Sequence, residues 1–137
     1  MYDVKVLGLE EARAAIDAIL AVATTDGVGP IAVTVADPEG DPIAFARMDG
    51  APHVPRHMAT RKAYTSARMR ADSGAYGERM KAAGIELQEL GDPMVTGFAG
   101  AVCLRVGRSV VGAIGVSGRT AEQDEELARI GAAAIGL

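Results

Sequence analysis

Tryptophan is absent from this chain, and only Tyr2, Tyr64, Tyr76, Phe45 and Phe98 among its 137 residues are aromatic. A core must therefore be built from Ala, Val, Ile, Leu and Met, and these small side chains with 17 glycines favour close packing of helices on a sheet. Cys103 is the only cysteine, so no intramolecular disulfide and no thiolate cluster can form. It sits in Ala101-Val102-Cys103-Leu104 without a local activating group, which reads as a buried, inert thiol. Positive charge is also short. The net charge is −4 and the isoelectric point about 5.1, which argues against general nucleic-acid binding because phosphates require a basic face. No apolar run is long enough to span a bilayer, and the basic-then-apolar pattern of a signal peptide is missing at the N-terminus. The expected location is cytoplasmic, with neither nucleic acid nor membrane as a partner. No Gly-x-Gly-x-x-Gly stands in the chain, which disfavours nicotinamide chemistry, and no Gly-x-Ser-x-Gly elbow makes Ser117 a nucleophile.

The length fits one domain spanning residues 1–137. Leu9, Ala12, Ala15, Ile16, Ile19, Leu20 and Ala23 recur at helical spacing, and the glycines of Asp26-Gly27-Val28-Gly29-Pro30 stop that helix. Ile31 to Ala36 and Pro42 to Met48 read as a hairpin around Asp37-Pro38-Glu39-Gly40-Asp41, which lacks the ligand spacing of a calcium loop. A helix is predicted from about Pro55 to Arg70, and a second from Tyr76 to Leu90 despite Gly84. Val95 to Phe98 reads as a short strand, Gly100–Val106 and Ser109–Val116 as a hairpin, and Glu122–Ile135 as the final helix. Hairpin-linked strands imply an α+β fold, an antiparallel sheet of about five strands with helices packed on it.

The most informative stretch runs from Val110 to Asp124. It joins an apolar run to a helix start through Ser117-Gly118-Arg119-Thr120. Gly112 and Gly115 let another backbone or a ligand approach closely. Thr120 with Gln123 three residues on forms a capping box, leaving Ser117 and Gly118 at a polar corner suited to a carboxylate.

Two further groupings could carry chemistry. His53 and His57 are the only histidines, at the i, i+4 spacing that places both rings on one face of a continuous helix. Pro52 and Pro55 flank His53, which predicts a helix start after it. Arg47, Asp49, His53, His57, Arg61 and Lys62 lie within sixteen residues and could surround one cleft, the cations holding a carboxylate while a histidine or Asp49 moves a proton. The plain alternative is a structural charge network. Arg56, Arg68 and Arg70 extend the basic character along the same helix. Met48, Met58, Met69, Met80 and Met94 could line a flat ligand or simply fill a core short of aromatics.

Five segments together resemble the GlcG/HbpS-like, or haem-degrading domain, family. They are Leu9-Glu10-Glu11-Ala12, Ile31 to Asp37 with Gly40, Ala44 to Ala51, Arg61-Lys62-Ala63-Tyr64-Thr65 and the Val110–Asp124 stretch. The chain departs from the family pattern at Phe98-Ala99-Gly100-Ala101, where a Pro-Gly-Gly-like segment is usual, and fits loosely over Asp72–Asp92. The resemblance implies the same α+β architecture, a homo-oligomer and a small-molecule ligand, with haem the leading one. It carries over no iron ligand; His53 or His57, the only histidines, is the expected one on residue chemistry. Two alternatives stay open. One is a catabolic enzyme doing isomerase- or lyase-type proton transfer on a small carboxylic acid held by Arg61 or Lys62. The other is an oligomeric sensing or regulatory subunit.

Overall fold

The computed structural model describes all residues 1–137. Helix α1 (Leu9–Ala23) leads into strands β1 (Ala32–Ala36) and β2 (Pro42–Arg47). Helices α2 (His53–Met69) and α3 (Ser73–Ala82) follow, then a 3-10 turn at Leu87–Leu90. Strands β3 (Ala101–Val106) and β4 (Ser109–Ser117) precede the last helix, α4 (Ala121–Ala134). The strands form one antiparallel sheet in the order β2-β1-β4-β3.

Both central strands, β1 and β4, are apolar because helices cover both faces of the sheet. Val33 and Val35 of β1 and Ile114 and Val116 of β4 point into a core shared with Ile16, Ile19 and Leu127 of α1 and α4. Each such Val or Ile contributes about 1.5–3 kcal/mol by leaving water. The alternate residues, such as Thr34 and Gly115, face α2. Thr34 shares a 2.8 Å hydrogen bond with Thr60. A Cβ built on Gly115 would stand 2.3 Å from the Ala59 carbonyl oxygen, so the close approach that this glycine allows is taken by the backbone of α2. The edge strand β3 is tied down from α3: Ser73 Oγ accepts from the Ala101 N–H at 3.0 Å, and Asp72 Oδ1 from that of Cys103 at 2.9 Å.

The α+β fold with an antiparallel sheet is as expected, but the sheet has four strands rather than about five. Val95 to Phe98, expected as a strand, packs as loop on α2, with the Thr96 N–H donating to Thr65 Oγ1 at 2.9 Å. The helix expected over Tyr76–Leu90 is α3, which starts earlier and stops at Ala82. Gly84, at φ +71, turns the chain away. Helix α2 starts at His53, not at Pro55. A proline in the first turn removes no hydrogen bond, because those N–H groups have no intrahelical partner. The Asp37–Asp41 loop is a plain turn in which Asp37 Oδ1 accepts from the N–H groups of Glu39 and Asp41. No helix is long and apolar enough to cross a membrane.

Candidate functional site

The sheet, α2 and the start of α4 meet around a buried ion pair. Lys62 lies on the inner face of α2 and is 5% exposed. Its Nζ donates to the Val116 carbonyl at 3.0 Å and to Asp124 Oδ2 at 3.2 Å. Asp124, 2% exposed, sits in the first turn of α4, where the helix dipole favours a carboxylate. Its other oxygen accepts from the Arg119 N–H at 3.0 Å. Burial pushes the Asp124 carboxyl up and the Lys62 ammonium down, each opposed in part by the attraction of the other.

Local sequence explains how the corner is held. Thr120 Oγ1 accepts from the Gln123 N–H while the Gln123 side chain accepts from the Thr120 N–H, the capping box expected from the sequence. Arg119 turns away from the corner. Its guanidinium donates to the carbonyls of Ala23 and Gly29 and to the Asp26 carboxylate, whose pKa that hydrogen bond lowers. The loop after β4 is thereby clamped to the end of α1.

A pocket of about 350 Å³ opens over the pair. Lys62, Asp124, Ser117 and Gly118 give it a polar side. Val54, Met58 and Phe98 give it an apolar one. Phe98 also borders a second cleft of about 530 Å³, walled by Arg61, Leu87, Asp92, Pro93, Val95 and Thr96. Phe98 and Val54 are large apolar side chains left 67% and 65% exposed.

Of the residues picked out by sequence, Lys62, Ser117 and Gly118 come together in the smaller pocket and Arg61 lines the larger cleft. His53 and His57 stack edge to face on the exposed side of the first turns of α2, their ring centroids 4.5 Å apart. They line neither cavity. Arg47, at the end of β2, and Asp49, in the turn after it, are exposed and take part in none of the ion pairs. The basic residues of α2 do not form one patch. Lys62 is buried and paired, Arg56 donates to the Ala51 carbonyl, and Arg68 stacks on the Tyr64 ring. Cys103 is half-buried, and burial pushes its thiol up, away from the reactive thiolate. Asp124 and Asp92 escape sequence reasoning. The one reads as an ordinary first-turn acid, the other as a loop residue.

Asp92 ties the larger cleft to α2. Its Oδ2 accepts from the Tyr64 hydroxyl at 2.6 Å, and its Oδ1 from the Met94 N–H at 3.1 Å. The hydrogen bond to Asp92 holds the Tyr64 phenol above its ordinary 10.0, and the same bond holds Asp92 below its ordinary 3.8. The sign follows for each group. The stabilisation from the phenol's proton is present below pH 10.0 and lost as pH rises through the raised Tyr64 value. That from the carboxylate is present above pH 3.8 and lost as pH falls through the lowered Asp92 value. An ultraviolet titration of the tyrosines should show one phenol ionising late, and Asp92→Asn should bring it down. An unchanged titration in that variant would break the assignment.

Comparison with known proteins settles the family. Residues 7–133 match the family model described as haem degrading protein HbpS-like. The chain belongs to that family. A sequence search among functionally curated proteins finds no match. Among solved structures, a double mutant of Streptomyces reticuli HbpS is 30% identical and superposes with a TM-score of 0.89, over 100% of this chain and 92% of that one. The Klebsiella pneumoniae protein ORFY is 25% identical, with a TM-score of 0.90 over 100% and 96% of the two chains. A PduOC:haem complex is 25% identical, with a TM-score of 0.85 over 96% of each chain. This HbpS-like protein thus shares its fold with a domain that has been crystallised with haem.

Proposed function

We propose that this protein binds haem, with His53 or His57 ligating the iron on the exposed side of the start of α2, outside the pocket walled by Val54, Met58 and Phe98, and the porphyrin edge reaching over those side chains. The observation that carries the reading is the histidine pair. Two exposed imidazoles stand one turn apart on the same helix as Val54 and Met58, and neither is engaged in any ion pair of the chain. The donor set fits the group: imidazole nitrogen suits haem iron, and thioether and aromatic side chains pack well on flat conjugated rings. Family membership and the 25% identical haem complex support the same ligand. Bound here, haem would supply an iron centre, and His53 or His57 would hold it. Arg47 offers a cation to a carboxylate, and Asp49 an acid–base group, beside the start of α2. Ser117 and Gly118, at the polar end of the smaller pocket, belong to the same set as hydrogen-bonding groups for a ligand carboxylate. Self-association is part of the reading, since Val54 and Phe98, which border the same pocket, are large apolar side chains left exposed for a second copy to cover.

The test is a haemin titration of the apo protein followed by absorbance, with His53→Ala, His57→Ala and the double variant alongside. The expected result is a saturable Soret band that shifts or disappears in one single variant and in the double. A linear, nonsaturating response would end the haem reading. A wild-type band in all three variants would end the histidine assignment.

A further inference from the structure

Arg61 leaves α2 toward the larger cleft and is poorly satisfied for a guanidinium with five N–H donors. Nη2 donates to the Val95 carbonyl at 3.1 Å, and Nη1 reaches only the Met58 thioether, at 3.5 Å. Nε is buried without any partner. No carboxylate of the chain forms an ion pair with it, although Lys62, Arg68, Arg119 and Arg129 all have one. A partly buried cation with one oxygen acceptor lacks the compensation that such groups ordinarily have.

Asp92, the acid lining this cleft, does not supply it. Its two oxygens are engaged by Tyr64 and Met94. Thr96 is engaged as well, its Oγ1 accepting from the Phe98 N–H at 3.3 Å. Leu87, Pro93, Val95 and Phe98 complete the wall with apolar surface. The cleft therefore offers one unpaired, planar cation beside an apolar surface in a volume of about 530 Å³.

We propose that the Arg61 cleft is a carboxylate-binding site, taking a ligand whose carboxylate pairs with the guanidinium and whose short apolar body lies on Leu87, Val95 and Phe98. A planar fork of donors suits a carboxylate better than a point charge would. The inference stands on this cleft and not on iron ligation by histidine. Two sources share the chemistry, a free short-chain carboxylic acid and the propionate arm of a larger flat ligand.

The experiment is an NMR titration of the isotopically labelled protein with butyrate, and in parallel with butyramide, which has nearly the same shape and no charge. Butyrate should give saturable shifts at Arg61, Thr96 and Gly97, and butyramide should bind at least roughly tenfold more weakly, as the loss of a charge-assisted pair implies. Arg61→Gln should lose the butyrate response, and Arg61→Lys should keep part of it. Haemin added to the butyrate complex then separates the sources. Displacement of butyrate identifies the propionate arm, and simultaneous occupancy identifies a free acid; either outcome supports the carboxylate site. Equal binding of butyrate and butyramide by the wild-type protein would overturn the proposal without relying on any variant. So would an undiminished butyrate response in folded Arg61→Gln.

Discussion

Asp124→Ala is expected to cost about 3–5 kcal/mol of folding stability, and adding Lys62→Met to recover most of that loss. The reason is asymmetry. With Asp124 gone, Lys62, a residue only 5% exposed in the wild-type fold, keeps only the Val116 carbonyl as an acceptor for its ammonium. Burial already pushes that amine toward its neutral form, and the carboxylate is what opposes the push. Methionine in its place fills similar volume without a charge, so the double variant removes the uncompensated group. Recovery should remain incomplete, because the Arg119 N–H also loses its acceptor, at about 1–3 kcal/mol if it stays dry. Lys62→Met alone should be milder than Asp124→Ala. The carboxylate it leaves keeps the Arg119 N–H and a place in the first turn of α4. Urea unfolding of the four proteins reads the cycle directly. Additive losses with no recovery in the double variant would mean that the two charges act independently and that the pair does not organise this corner.

The residues of this pair show where sequence reasoning succeeds and where it stops. Thr120 and Gln123 announce the start of α4 because a capping box is local, and the structure holds that box. Helix α1 is legible for a similar reason: its apolar stripe is strictly periodic, and its five buried residues all belong to that stripe. Lys62 and Asp124 are 62 positions apart, and each alone looks like a solvent-facing charge. Only the antiparallel pairing of β1 with β4, and the seating of α2 on β4, bring them together. The misjudged start of α2 has a different origin. Flanking prolines weigh heavily in a local reading, yet Pro55 costs nothing where no hydrogen bond is due, and His53 consequently joins His57 on one face. Val95 to Phe98, expected as a strand, differs for a third reason. A short apolar run serves equally as a strand or as a loop packed on a helix, and here Thr65 takes the N–H that a neighbouring strand would otherwise bond. Of the two segments expected to depart from the family pattern, Phe98–Ala101 supplies Phe98 and Ala99 to the cavity walls, and Asp72–Asp92 supplies Leu87, Gln88 and Asp92.

Gly115→Val is expected to be the other large loss, more than about 3 kcal/mol, above the ordinary cost of overpacking a core. Overpacking is cheap when a flexible side chain can swing aside. At Gly8, for instance, an added Cβ would meet only the end of the Glu11 side chain. At Gly115 the same atom would lie 2.3 Å from the Ala59 carbonyl oxygen and 2.7 Å from the Ala63 nitrogen, both of them main-chain atoms of α2. Neither can move without the helix. Gly115 pairs with Thr34 on one side and Ala101 on the other, so β4 cannot yield either without disturbing β1 and β3. The contact falls on the turn of α2 that holds Lys62, between Ala59 and Ala63. Lifting the helix there would draw the ammonium away from Asp124 and shift Arg61 and Met58 with it. The loss of stability should therefore come with a loss of butyrate binding in whatever fraction stays folded, while Gly8→Ala leaves binding intact. Chemical denaturation of Gly115→Ala and Gly115→Val gives the magnitude, with the smaller substitution intermediate. A wild-type unfolding midpoint for Gly115→Val would show that α2 does not sit against β4 at this separation, and the geometry argued for both cavities would fall with it.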